Sequence, residues 1–271
     1  MNKRYVFVSG AAGGIGMETT ILLAKKGYHV FAGDINLKAL ENKANEKIIP
    51  IHIDITNSKS IEDAILQIKK LTTQLKGLIN IAGAFDQFPL VEVDHSSFEN
   101  LINVNLIGHQ KLTRALFPLL FNAKGRVINL SSETVLAQMP LQSYGFTKKL
   151  FDMWNTQLRM EMKLLGMEGI VIRAGGHQTH FIKQSSSIIS DIDKRSRYSN
   201  LLHKINQKAQ KLLNEKQSDP ADLAAVFFKA LTLKRPKKTY YVNVSLLFNF
   251  LSLLPSGLRE YLMVAQLKRW M

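Results

Sequence analysis

The sequence predicts a single doubly wound α/β domain, with one parallel sheet of about seven strands and helices on both faces. Three observations carry that expectation. Short β-branched runs alternate with amphipathic segments, the pattern of successive βαβ units. A glycine-rich turn separates the first such run from the first amphipathic segment. Apolar residues make up 46% of 271, enough to bury a sheet on both faces. No repeat and no Pro- or Ser-rich linker interrupts the rhythm, so residues 1–271 are read as one domain.

The elements follow in order. A strand over Arg4–Ser9 runs straight into Ser9-Gly10-Ala11-Ala12-Gly13-Gly14-Ile15-Gly16, and a helix is expected over Ile15–Lys26. Glycines belong where the backbone must turn tightly and approach pyrophosphate oxygens, and a helix N-terminus offers free N–H groups beside them. The second strand, Tyr28–Gly33, delivers Asp34, 18 residues after Gly16. A carboxylate there would bond adenosine ribose hydroxyls and repel a 2′-phosphate, which favours NAD over NADP. Neither the glycine loop nor Ile35 offers a compensating cation.

Further on, helices are expected over Leu37–Asn45, Lys59–Thr73 and Ser97–Asn122, with strands over Ile48–Ile53, Gly77–Ile81 and Arg126–Leu130. The next helix, Gln142–Leu165, carries Tyr144 and Lys148 at i, i+4, on one face. A phenol of ordinary pKa about 10 is a poor base at neutral pH, and an adjacent ammonium favours its ionised form. The preceding strand ends in Ser131-Ser132, whose hydroxyls are candidates to hold a substrate oxygen. A strand over Gly169–Arg173 precedes the polar, Ser- and Lys-rich stretch 180–217, read as a lid-like insertion with helical pieces. Asp219-Pro220 reads as an N-cap followed by proline at the first helical position. It opens a helix over Ala221–Leu231, and a last strand is expected over Thr239–Val244.

Here the motifs together resemble the short-chain dehydrogenase/reductase family, in its single-domain NAD(P)-binding Rossmann subgroup. The opening motif Ser9-Gly10-x-x-x-Gly14-Ile15-Gly16 is similar to the family's phosphate loop, and Asp54-Ile55 to its adenine contact after strand three. Asn80-Ile81-Ala82-Gly83 is similar to the family's Asn-Asn-Ala-Gly, with Ile81 in place of the second Asn. The resemblance implies cofactor contacts from Ser9, Gly10, Gly14, Ile15, Gly16, Asp34, Asp54, Ile55, Asn80, Ala82, Gly83, Tyr144 and Lys148. It also implies contacts from His177 and Thr179, in a turn where Ala174 replaces the usual proline.

The resemblance implies Tyr144 as general acid/base, Lys148 as its electrostatic partner and ribose ligand, Ser132 as the substrate-oxygen donor and Asn105 as support for a proton-relay water. Ser132 lies 12 residues before Tyr144, one fewer than the family's usual spacing, which implies a one-residue deletion in 133–142 and leaves Ser131 as the lesser candidate. The expected activity is hydride transfer between NAD(H) and a secondary alcohol or ketone on an apolar substrate. An NADPH-linked carbonyl reductase and a nucleotide-binding protein without turnover are the alternatives. Phe85, Phe88, Leu136, Met139, Phe146 and Phe181 are candidates to line the substrate site, or else core.

Composition narrows the rest. The chain has no cysteine, which excludes disulfides and thiolate chemistry. His177 and His180 have a suggestive spacing, but no third ligand accompanies them, so no metal site is expected. The other histidines, His109 among them, are read as structural or surface. Net charge is 36 − 21 = +15, of which residues 1–150 supply 17 − 12 = +5 and residues 151–271 supply 19 − 9 = +10. No basic patch interleaved with aromatics points to nucleic acid. No apolar run is long enough to span a bilayer, so a cytoplasmic protein, soluble or peripheral to a membrane, is expected. Segment 244–271 is apolar with scattered basic residues. It is read as packing on the body or as a homo-oligomer contact, with an interfacial membrane helix as the other reading. The stretches Lys234-Arg235-Pro236-Lys237-Lys238-Thr239-Tyr240-Tyr241 and Leu253-Leu254-Pro255-Ser256-Gly257-Leu258-Arg259 resemble the family's retinol- and hydroxysteroid-dehydrogenase-like branch.

Overall fold

The computed structural model describes residues 3–137, 139–177, 196–215 and 218–270. Seven strands form one sheet: β1 (Tyr5–Ser9), β2 (His29–Asp34), β3 (Ile48–His52), β4 (Gly77–Asn80), β5 (Arg126–Ser132), β6 (Glu168–Ala174) and β7 (Thr239–Val242). Their order is β3-β2-β1-β4-β5-β6-β7, and every neighbouring pair is parallel. The order reverses between β1 and β4, so the crevice beyond their carboxyl ends is the fold's ligand position. Val6, Phe7 and Val8 of β1 are fully buried, as a strand covered on both faces requires.

Helices α1 (Gly14–Lys25) and α9 (Pro220–Thr232) cover one face. There Leu23, Leu223 and Phe227 pack on Val6, Val8 and Ile128. On the other face lie α3 (Ser58–Lys69), α5 (Gly108–Asn122) and α7 (Ser143–Leu164), with Ile61, Leu112 and Met162 packed on Phe7, Phe31 and Leu78. The Asp219 carboxylate accepts from the Ala221 N–H at 2.8 Å, and Pro220 opens α9, as expected.

Several boundaries differ from those read in the sequence. The helix α2 (Leu37–Glu41) ends early. Asn45 accepts from the N–H groups of Lys47 and Ile48 at 2.8 and 3.0 Å, closing a turn where more helix was expected. The long fourth-crossover helix is interrupted. Helix α4 (His95–Ile102) passes through a π-helical turn, Asn103–Ile107, into α5. A short helix, α6 (Thr134–Ala137), follows β5. Part of the expected lid lies outside the described residues, and the rest is chiefly α8 (Ser199–Glu215), anchored by buried Leu201, Leu202 and Ile205. Segment 244–271 is two helices, α10 (Leu246–Leu253) and α11 (Ser256–Lys268), separated at Leu254 and Pro255. Packing on the body is slight: no side chain of α10 is buried, and Leu267 is the buried residue of α11.

Candidate active site

The glycine loop is held in shape by its own backbone. Gly10 adopts φ +69°, and a Cβ there would lie 2.7 Å from the Ala82 nitrogen, so only glycine fits without strain. A Cβ on Gly16 would collide with the Gly10 carbonyl. The Ser9 hydroxyl accepts from the Ile81 N–H at 3.2 Å and the Ala82 N–H at 3.5 Å, which joins the β1 loop to the β4 loop. Helix α1 then opens on Gly13 with no side-chain cap and no acidic residue in its first turn. The amides at Gly14, Ile15 and Gly16 are therefore placed for an anion.

Asp34 ends β2 beside this loop. Its carboxylate accepts from Ala12 N–H at 3.0 Å and Asn36 N–H at 2.9 Å, so one side chain braces both turns. Asp54 is committed locally: one oxygen accepts from the Thr56 N–H at 2.8 Å and hydroxyl at 2.7 Å. Ile55 is buried, against Gly108. Asn80 is fully buried, and its amide donates to Asn129 at 2.7 Å, across from β4 to β5. Asn129 in turn donates to Asn155 of α7. Ala82 and Gly83 stay accessible at the crevice, and a Cβ on Gly83 would come within 3.4 Å of Asn105 Oδ1 and 3.7 Å of Lys148 Nζ. An uncapped helix start, a bare glycine floor and a carboxylate at the end of β2 together fit an adenine dinucleotide.

The chemical centre gathers four predicted side chains. The Tyr144 hydroxyl is hydrogen-bonded to Ser132, which selects Ser132 over Ser131 as its partner. Ser132 Oγ also accepts from the Thr134 N–H at 3.2 Å. Ser131 is buried, with no partner for its hydroxyl among the described residues. Lys148 Nζ lies 5.8 Å from the centre of the Tyr144 ring and donates to the Leu130 carbonyl at 3.3 Å. Burial pushes the Lys148 ammonium down to about 8. The Tyr144 phenol moves the opposite way. Burial raises it above its ordinary range, against the lowering effect of the Ser132 hydrogen bond. The sequence-based expectation of a phenol lowered by its lysine is thus opposed by desolvation in the protein alone.

Asn105 is buried inside the π-helical turn. Its amide donates to the Ala84 carbonyl at 3.0 Å and the Thr147 hydroxyl at 2.9 Å, and its oxygen accepts from the Ala84 N–H at 2.9 Å. It thereby clamps the β4 loop to α7. Phe85 packs on Tyr144 at 5.2 Å between ring centroids. Leu136 is buried, Phe146 stacks on Phe98, and Phe88 and Met139 are partly exposed. At the β6 loop, His177 is buried and its Nδ1–H donates to the Gly175 carbonyl at 2.9 Å. Thr179 and Phe181 lie outside the described residues.

Other side chains of the site gave no signal in the sequence. His109 is buried, donates to the Ala82 carbonyl at 2.9 Å and packs against Phe151 with ring centroids 4.8 Å apart and the rings tilted by 37°. Burial first, and the charge of Lys148 second, push its pKa down to about 3. Glu133 accepts from the Ser245 N–H at 2.7 Å, joining the Ser132 turn to the start of α10. The Asp86 carbonyl accepts from the Tyr144 N–H at 3.2 Å and the Ser143 hydroxyl at 3.1 Å. The i, i+6 spacing of His109 from Asn103 and the Glu133 that follows the serines carry no general pattern that would have flagged them.

Comparison with known proteins agrees with this geometry. The family model for short chain dehydrogenase matches residues 4–190. An uncharacterized oxidoreductase, YbbO, of Escherichia coli is 28% identical over 192 residues, covering 70% of this chain and 71% of that protein. Mouse estradiol 17-beta-dehydrogenase 2 is 31% identical over 192 residues, covering 66% of this chain and 50% of that protein. A solved short-chain dehydrogenase from Streptomyces avermitilis superposes with a TM-score of 0.79 over 98% of both chains, at 18% identity. A 3-ketoacyl-(acyl-carrier-protein) reductase from Brucella melitensis, solved with NADH, gives 0.73 over 88% of this chain and 96% of its own, at 16% identity. The sheet order, the glycine loop, the Tyr144–Lys148 helix and a family match over residues 4–190 lead to one conclusion: the chain is an oxidoreductase that belongs to the short-chain dehydrogenase family.

Proposed function

We propose that the protein transfers a hydride between NAD(H) and a secondary alcohol or ketone carried on an apolar substrate, with Tyr144 as general acid/base. The observation that carries this reading is the hydrogen bond between Tyr144 and Ser132 beside the buried Lys148. A bound nicotinamide would accept or supply the hydride. In oxidation, Ser132 holds the substrate oxygen and Tyr144 takes its proton. In reduction, the same hydroxyl gives the proton back. Lys148 stabilises the phenolate by its charge and reaches toward the nicotinamide ribose. Asn105 keeps the Ala84 loop and Thr147 in place, which fixes one wall around the tyrosine. Ser9, Gly10, Gly14, Ile15 and Gly16 form the pyrophosphate cradle, Asp34 serves the adenosine ribose, and Asp54 and Ile55 lie toward the adenine. Ala82, Gly83, His177 and Thr179 serve the nicotinamide end, and Asn80 braces the floor from within the sheet.

Phe85 against Tyr144 supports an apolar substrate. Asp34, free of any neighbouring basic residue in the glycine loop, supports NAD over NADP. The test is a panel of steroid, retinoid, aliphatic and acyl-thioester alcohols and ketones, assayed with NAD(H) and NADP(H). Turnover of apolar secondary alcohols or ketones with NAD(H) is expected. Turnover with NADPH alone would establish the carbonyl-reductase alternative.

A further inference from the structure

We infer that the C-terminal helix pair α10–α11 docks on an anionic lipid surface. Helix α10 reads Leu246-Leu247-Phe248-Asn249-Phe250-Leu251-Ser252-Leu253, with no charge and no buried side chain. Leu246 is 86% exposed, Phe250 60% and Leu253 82%. These residues recur at i, i+4 and i+7, so they form one outward stripe. In α11, Leu258, Tyr261 and Leu262 fall at i, i+3 and i+4, again one face of a helix, and all three are exposed. Apolar surface of this extent on consecutive helices marks an interaction site.

The charges around it point to the occupant. Beyond the stripe, α11 ends in exposed Lys268 and Arg269. Helix α8 adds Lys204, whose ammonium donates to the Trp270 carbonyl at 2.6 Å, and Lys208, which lies 3.6 Å from the Trp270 ring centre. Two cations of α8 thus contact Trp270, which directly follows Lys268 and Arg269 in the chain, and Glu260 is the one acidic residue in 246–270. A second copy would bring the same cations against them, on a chain of net charge +15. An anionic lipid surface accepts both the apolar stripe and the basic cluster. The element lies on the membrane and does not cross it. Eight residues at 1.5 Å each make α10 about 12 Å long, against a hydrocarbon core of about 30 Å. Among the described residues no helix is long and apolar enough to span.

The docked element adjoins the chemistry. Ser245, immediately before α10, donates its N–H to Glu133, the residue after Ser132. The serine side of the cleft therefore lies against the docked helix.

The test is co-sedimentation of the full chain with vesicles of phosphatidylcholine alone or mixed with phosphatidylserine. Sedimentation with the mixed vesicles, weakened by salt, is expected. Leu246→Asp with Phe250→Asp should lower partitioning at least about tenfold, and Lys268→Glu with Arg269→Glu should remove the salt-sensitive share. These positions are exposed, so circular dichroism should stay that of the parent. Equal binding to neutral and anionic vesicles, or none to either, overturns the inference. So does a dimer in sedimentation velocity that the α10 substitutions dissociate, which would assign the stripe to a second copy.

Discussion

Replacing Lys148 with methionine tests the mechanism quantitatively. Its ammonium lies 5.8 Å from the Tyr144 ring centre. With the phenolate charge placed at that ring centre and an effective dielectric constant of about 20, a unit charge would stabilise the phenolate by about 3 kcal/mol, or about two pH units. Alcohol oxidation needs the phenolate, so its rate should rise about tenfold per pH unit until the Tyr144–Lys148 pair has lost its proton. Burial holds Lys148 at about 8, so its help is complete below that pH and fades above it. In Lys148→Met the rise should shift about two pH units upward, and oxidation at pH 7 should fall about a hundredfold from this cause alone. The assay is the initial rate of oxidation at saturating NAD across pH 6 to about 10, with cofactor affinity measured separately by fluorescence titration. Affinity should also weaken, because the lysine serves the ribose. An unchanged inflection in Lys148→Met would refute the electrostatic role, whatever happened to the overall rate.

The remaining expectations are simpler to read. Tyr144→Phe should abolish turnover and leave NADH binding nearly intact, so substantial oxidation by this variant moves the base elsewhere. Ser132→Ala should lower kcat by about two to three orders of magnitude, and a larger loss in Ser131→Ala would reverse the assignment of the pair. Asp34→Ala should narrow the preference for NADH over NADPH in a titration, and a parent protein that already prefers NADPH sinks the ribose reading. Asn105→Ala strands Ala84 and Thr147 polar groups in a buried site, so urea unfolding should register about 2–4 kcal/mol of lost stability. His109 is held neutral, with its folded pKa about 3 against an ordinary 6.5. The unfolded chain therefore binds the extra proton, and stability should fall as pH drops from 6.5 toward 3, a trend that His109→Gln should flatten.

The alternation of apolar runs made all seven strands legible, because each is short and β-branched or aromatic, the inner ones buried on both faces and the edge strands β3 and β7 only in part. The phosphate loop was equally plain, since glycine spacing reports backbone geometry directly. The π-helical turn at Asn103–Ile107 was not legible: its residues continue the helical period, and nothing in their spacing separates a π turn from an α turn. Segment 244–271 reads as one apolar stretch, and neither its division at Leu254 and Pro255 into α10 and α11 nor its uncovered apolar face was legible. The choice between Ser131 and Ser132 depended on which way β5 turns its last residues, a property of strand pairing with β6. His109 and Glu133 each bond a backbone group distant in sequence, and no local pattern announces such partners.

The chain of asparagines from Asn80 through Asn129 to Asn155 has a consequence for the helix it ends on. Asn155 lies seven residues beyond Lys148 and eleven beyond Tyr144, so at 100° per residue all three stand within about 20° of one line along α7. Leucines along that line would let the helix rotate slightly against the sheet and still bury the same area. A directional amide bond to Asn129 does not, and Asn155 also donates to its own helix at the Phe151 carbonyl, which fixes the orientation of the amide. The rotational phase of α7 is thus set by a polar pin near its middle, and the tyrosine and lysine inherit their aim from it. Substituting Asn155 with leucine would keep the fold and detune the angle at which the phenol meets the serine.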